Sequence, residues 1–134
     1  MNAEYADFPV IIVGMSQEAD QLGTEPDLFE ILSVVEPFCH DHPDLALGLL
    51  GSRAKGTAKQ YSDWDLGVTA GDQGIDGFDY IRLKSEVAEL ADHLPRSVDL
   101  VNLDRAPDWF LQAIDYTPRF LGGNLSHWNR FRQK

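Results

Sequence analysis

The stretch Leu49–Val68, LLGSRAKGTAKQYSDWDLGV, constrains this chain more than any other. It sets a Gly-Ser step, Gly51-Ser52, at the end of an apolar run, and an Asp-x-Asp pair, Asp63 and Asp65, at the start of the next; ten residues separate Ser52 from Asp63. Leu66 and Val68 read as a strand, so Asp63 and Asp65, two positions apart, point to the same face. Two carboxylates side by side repel each other. They are tolerated in water or around a shared hard cation, and Mg²⁺ is typically held by one or two carboxylates plus substrate phosphates. The Gly-Ser turn would supply the phosphate end. Gly51 lets the backbone approach closely, Ser52 offers a hydroxyl and an N–H, and a short helix expected over Arg53–Gln60 points its positive end at an anion. Lys55 and Lys59 add mobile positive charge nearby. The arrangement predicts a site for a Mg²⁺-bound nucleoside triphosphate. The bland alternative makes Asp63 and Asp65 solvated turn residues and Gly51 and Gly56 ordinary turn glycines.

Around this stretch the chain alternates helix and strand patterns. Thr24-Glu25-Pro26-Asp27 is a helix start, with Thr24 as cap, Pro26 in the first turn and Asp27 near the positive end. Leu28, Ile31, Leu32, Val35 and Phe38 follow at helical spacing, and Pro43 ends the helix near His40-Asp41-His42. Those two histidines invite a metal reading, but more often such residues complement the carbonyl end of a helix. Leu45–Leu50 reads as a buried central strand feeding the Gly-Ser turn. The second core strand is expected at Asp63–Thr69, a second long helix at Phe78–Leu94 and a third strand at Ser97–Leu103.

Asp99 lies in the middle of that last apolar strand, where an unpaired buried carboxylate is costly. Beside a cation already held by Asp63 and Asp65 it becomes an asset. Asp104, at the strand's end, is the rival, and pairing of Asp99 with Arg96 or Arg105 is the non-functional alternative. A short third helix is expected after Pro107. Phe8–Val13 reads as an extra edge strand because Pro9 cannot donate to a ladder. Gly122-Gly123-Asn124 reads as a flexible break before an aromatic and basic tail carrying Trp128, Arg130, Phe131, Arg132 and Lys134.

Gly51-Ser52-Arg53-Ala54-Lys55-Gly56 followed by Ser62-Asp63-Trp64-Asp65-Leu66 resembles the signature of the DNA polymerase beta-like nucleotidyltransferase superfamily, and the small size resembles its minimal nucleotidyltransferases (MNT), partners of HEPN-domain toxins. The resemblance runs from about Leu45 to Leu103, and Val98-Asp99-Leu100-Val101 matches the family's third-carboxylate strand. It implies an α/β (or α+β) fold with a small mixed sheet of three core strands and helices mainly on one face, in a single domain (1–134, core about 25–115, extra strand about 8–13, tail 117–134). It further implies Mg²⁺-dependent transfer of AMP from ATP to a hydroxyl, with Asp63, Asp65 and Asp99 as catalytic metal ligands and Gly51, Ser52, Lys55 and Lys59 holding the nucleotide. The implied acceptor is a tyrosine of a HEPN RNase toxin, which makes the chain an antitoxin. A small-molecule nucleotidyltransferase of the aminoglycoside-modifying kind and a non-catalytic antitoxin that occludes its toxin remain alternatives.

Composition narrows the function classes. A formal net charge of -11 argues against general nucleic-acid binding, which needs a basic face, and suits a basic protein partner. Cys39 is the only cysteine, so no intrachain disulfide forms, and an intracellular, cytoplasmic setting is expected. No secretory leader pattern and no run long enough to span a bilayer is visible.

Overall fold

The structure, a computed structural model, describes residues 5–6, 26–59, 62–113 and 118–132. The edge strand expected at Phe8–Val13 and the cap expected at Thr24 lie outside the described residues.

Helix α1, Pro26–Asp41, begins on a proline whose fixed φ suits a first turn. Leu28, Ile31, Leu32, Val35, Phe38 and Cys39 are all buried, the stripe that the spacing predicted. Its end is closed by His42, whose backbone N–H and Nδ1 both lie 3.0 Å from the Phe38 carbonyl oxygen. His42 also stacks on Phe38, 4.3 Å between ring centroids, and faces Asp79 at 3.3 Å. Of the two histidines, His42 closes the helix end, while His40 lies 4.0 Å from Glu36, one turn back. Strand β2, Ala46–Leu50, is buried throughout and runs directly into the one-turn helix α2, Gly51–Lys55. Strand β3 covers Trp64–Thr69. A 3-10 turn at Gly71–Gln73 leads to helix α3, Gly77–Ala91, which is capped by Asp76 accepting from Phe78 N and Asp79 N. Strand β4 is Val98–Asn102 and helix α4 is Asp108–Ala113.

Two more elements follow. Arg119–Asn124 forms strand β5, and Leu125–Arg132 forms helix α5. The expected break at Gly122-Gly123-Asn124 is thus corrected: these residues end a strand inside the sheet. Gly123 has φ +97, and a Cβ there would stand 2.3 Å from the Leu45 carbonyl oxygen, so glycine serves close backbone approach rather than a turn. The aromatic and basic tail forms a helix docked on the sheet through Trp128, and the sheet has more strands than the three core ones expected.

The sheet order is β1-β5-β2-β3-β4, where β1 is the two-residue strand Tyr5–Ala6 paired antiparallel with β5. β2 pairs antiparallel with both β3 and β5, while β3 and β4 are parallel and joined through α3. Side chains alternate between two faces. On one, Leu47, Leu49, Trp64, Leu66, Val68, Leu100 and Leu121 pack against α1 and α3. On the other, Ala46, Leu50 and Leu103 gather around Trp128 of α5, with Val101, Leu111, Phe120 and Phe131 at the margin. The two long helices thus share one face, and a short helix covers part of the other.

Candidate active site

The antiparallel register sets Leu50 opposite Asp65, so the turn that leaves β2 at Gly51 rises beside the aspartates that open β3. The fit is close. Gly51 adopts φ +67, and a Cβ on it would lie 2.7 Å from Asp65 Oδ2. Only glycine allows both the left-handed backbone and the approach of that carboxylate. Gly51 and Asp65, at the two ends of the motif, are thus neighbours in space.

The parallel register of β3 and β4 then places Asp99 directly opposite Asp65. Both side chains are on the face away from α1 and α3, because their neighbours Trp64, Leu66 and Leu100 fill the opposite face. Burial pushes the Asp65 carboxyl above its ordinary range, and the charges of Asp99 and then Asp63 push it further in the same direction. Asp63 and Asp99 are themselves exposed. Asp104, the rival to Asp99, is occupied elsewhere: it accepts from Thr69 Oγ1 at 2.5 Å, Ala70 N at 2.8 Å and Ile75 N at 3.0 Å, fastening the far end of β3 to the loop before α3. Its place is structural. Arg96 is engaged with Asp27, at 2.7 Å.

The helix expected over Arg53–Gln60 is shorter and starts earlier. It ends at Lys55, where Gly56 takes φ 79 and returns its N–H to the Ser52 carbonyl. A helix of one turn has little dipole, so an anion here would depend on the Ser52 hydroxyl and the local backbone. Ser52 is half-buried beside the aspartates' turn, Lys55 is exposed at the end of α2, and Lys59 is exposed in the loop that follows, not on a helix. Ser62 closes the loop by accepting from Lys59 N at 2.8 Å and donating its own N–H to Lys59 O at 3.0 Å.

Sequence reasoning missed Arg53, which it counted only as part of a basic segment. Arg53 is buried. Its guanidinium lies 4.2 Å from the Trp64 ring centroid, and Nη2 donates to Ser62 O at 2.9 Å. It thereby ties α2 to the residues on either side of Asp63. Trp64 is itself fully buried, donating Nε1–H to Asp27 Oδ2 at 3.3 Å. A tryptophan between two aspartates signalled that the intervening position enters the core and needs a polar partner for its N–H. Arg119 was missed too; its Nε donates to the Ala54 carbonyl at 2.7 Å from β5.

The donor set here is carboxylate oxygen, which suits a hard divalent ion, and an Asp65 carboxyl pushed up by neighbouring negative charge is relieved by a cation. Among the described residues no three His, Cys, Asp or Glu side chains form a ready-made metal cage. No helix among the described residues is long and apolar enough to cross a membrane.

The family model described as "Polymerase beta, Nucleotidyltransferase" matches residues 35–121. No curated protein matches the sequence. Among solved structures, a toxin-antitoxin with AMP-PNP shares 28% identity at a TM-score of 0.54, covering 75% of this chain and 80% of that one. A toxin-antitoxin MntA-HpeT mutant, with two aspartates two positions apart replaced by glutamate, shares 25% identity at a TM-score of 0.53, over 74% of this chain and 78% of that one. A tri-AMPylated Shewanella oneidensis HEPN toxin in complex with MNT antitoxin gives 25% identity and a TM-score of 0.51, over 79% and 80%. With the Gly-Ser turn, the paired aspartates and the third carboxylate on the adjacent parallel strand all in register, the chain belongs to the polymerase beta nucleotidyltransferase family, as one of its minimal nucleotidyltransferases.

Proposed function

We propose that this protein is a Mg²⁺-dependent protein adenylyltransferase that moves AMP from ATP to a tyrosine hydroxyl of a HEPN RNase toxin, and so acts as the antitoxin of the pair in the cytoplasm. The observation that carries this reading is the seating of the Asp65 carboxylate against Gly51 and opposite Asp99, which supports a site shared by the Gly-Ser turn and the carboxylates. The bound AMP-PNP and the AMPylated HEPN toxin of the related complexes supply the nucleotide and the acceptor class.

Ser52 and the backbone of Gly51 and Ser52 hold the β and γ phosphates, with Lys55 and Lys59 offering charge to the departing pyrophosphate. Asp63 and Asp65, joined by Asp99, would hold Mg²⁺, which when bound neutralises phosphate charge and the charge that develops on transfer. Asp99 is exposed and lies on the sheet's edge strand, where an acceptor can approach. It orients the tyrosine hydroxyl and takes its proton. The hydroxyl oxygen forms a bond to the α-phosphorus, the α–β bridging P–O bond breaks, and pyrophosphate leaves. The acidic body, net charge -11, suits a basic nuclease partner.

Intact mass spectrometry of a candidate HEPN partner after incubation with this protein, ATP and Mg²⁺ tests the proposal. AMP-sized increments that vanish with Asp65→Asn are expected. A stable complex without any increment would replace catalysis by occlusion, and neither complex nor increment would direct attention to small-molecule hydroxyls.

A further inference from the structure

We propose that Arg119 is a positioning residue for nucleotide binding, acting through the Ala54 carbonyl to hold the Gly51–Ser52 turn in place. The proposal rests on the reading of that turn as the phosphate-binding element. α2 is a single turn of helix, too short to be stable by its own hydrogen bonds. Its backbone has to be held by its surroundings, and each side of β2 contributes one arginine. Towards β3, Arg53 reaches from α2 itself to Ser62 O and lies over Trp64. Towards β5, Arg119 reaches into α2 and donates to Ala54 O at 2.7 Å. Ala54 is only two residues past Ser52, and its carbonyl is among those that a helix end leaves without an internal partner.

The strand register makes this reach possible. Arg119 pairs with Leu49, two residues before Gly51, so the base of its side chain stands beside the strand that delivers the turn. β5 is in turn held against β2 from the far side of the sheet, where Trp128 of α5 rests on Gly48; a Cβ there would come within 2.2 Å of the indole. The C-terminal segment thus reaches the phosphate end of the site through one charge-assisted hydrogen bond, the stronger class of such bonds. A nucleotide turn fixed in advance spends less binding energy on ordering when ATP arrives.

Isothermal titration of the full chain with AMP-PNP and Mg²⁺ provides the test, with the thermal midpoint measured alongside. Arg119→Met, which keeps the aliphatic stem, is expected to weaken AMP-PNP binding about tenfold, and Arg119→Lys, which restores a donor long enough to reach Ala54 O, to recover most of that loss. Unchanged affinity in Arg119→Met would overturn the inference, as would a fall in thermal midpoint with no change in affinity. If the Met variant does not fold, Arg119→Ser, too short to reach Ala54 O, decides: weaker AMP-PNP binding at a wild-type midpoint supports the proposal, and unchanged affinity overturns it. Wild-type protein that binds no AMP-PNP would instead overturn the nucleotide reading itself, and the inference with it.

Discussion

The two faces of the sheet are built to opposite standards. The face under α1 and α3 is apolar and closed: Leu47, Leu49, Trp64, Leu66, Val68 and Leu121 are fully buried, and at its margin Trp64 donates to Asp27 and Asp27 holds Arg96. The other face is only partly covered, by α5, and at its uncovered end it gathers Asp63, Asp65 and Asp99 although each raises the electrostatic cost of Asp65. The first face holds the fold together. The second holds a cluster of like charges that the fold would be more stable without, which is the usual mark of a site kept for binding or chemistry. The strands link the two, since Trp64 and Asp65 are neighbours in β3 and a single residue of slip would exchange them.

Substitutions that affect one face and spare the other break this comparison most directly. Asp65→Asn is expected to lower AMP transfer on the order of 10³-fold, a loss of about 4 kcal/mol of transition-state stabilisation, while leaving the thermal midpoint in metal-free buffer unchanged or higher. A midpoint that falls sharply would mean that Asp65 serves the fold. Trp64→Ala, the adjacent residue on the closed face, is expected to cost about 3–5 kcal/mol of stability by denaturant titration. Asp27→Asn is a milder version of the same test, costing about 1–3 kcal/mol because Arg96 and the Trp64 N–H lose a charged acceptor.

The pH dependence sharpens the comparison further. The folded-state pKa of Asp65 is raised, so the folded protein holds this proton more tightly than the unfolded chain does. Its contribution therefore favours the fold below the unfolded carboxylate pKa and is lost as pH rises through the folded one. Thermal midpoints measured without metal should show a decline across the acid range that Asp65→Asn removes and that Mg²⁺ reduces near neutrality. The smallest effect concerns Cys39, on the closed face: burial, with Asp44 and Glu36 adding to it, pushes its thiol up to about 12. It should resist alkylation in native protein at pH 8 and react only on unfolding, followed by mass.

What was legible in the sequence was what recurs with a period or a fixed spacing. The stripe of α1, the three strands β2, β3 and β4, and the meeting of Gly51 with Asp65 all follow from alternation, helical spacing and the distance between two short motifs. β5 was not legible, because Gly122 and Gly123 are turn residues by propensity, and their service as sites of close backbone approach exists only once β2 lies beside them. The ends of α2 failed for a similar reason: Lys55–Gln60 carries good helix formers, but Gly56 in the left-handed conformation stops the helix after one turn. Arg53 and Arg119 carry no periodic or motif signal of their own, and their places over Trp64 and against Ala54 depend on tertiary contacts. Asp99 and Asp104 could be ranked by strand position, and the three hydrogen bonds that occupy Asp104 now give that ranking a physical basis.

The central claim is that this open face transfers a nucleotidyl group rather than a phosphate, and label transfer tests it most directly. A HEPN partner is incubated with this protein, Mg²⁺ and ATP radiolabelled at either the α or the γ phosphorus. The account predicts label on the partner from the α position alone, with labelled pyrophosphate released from γ-labelled ATP and no transfer by Asp65→Asn. Label arriving from the γ position, or α label that persists in Asp65→Asn, would contradict it.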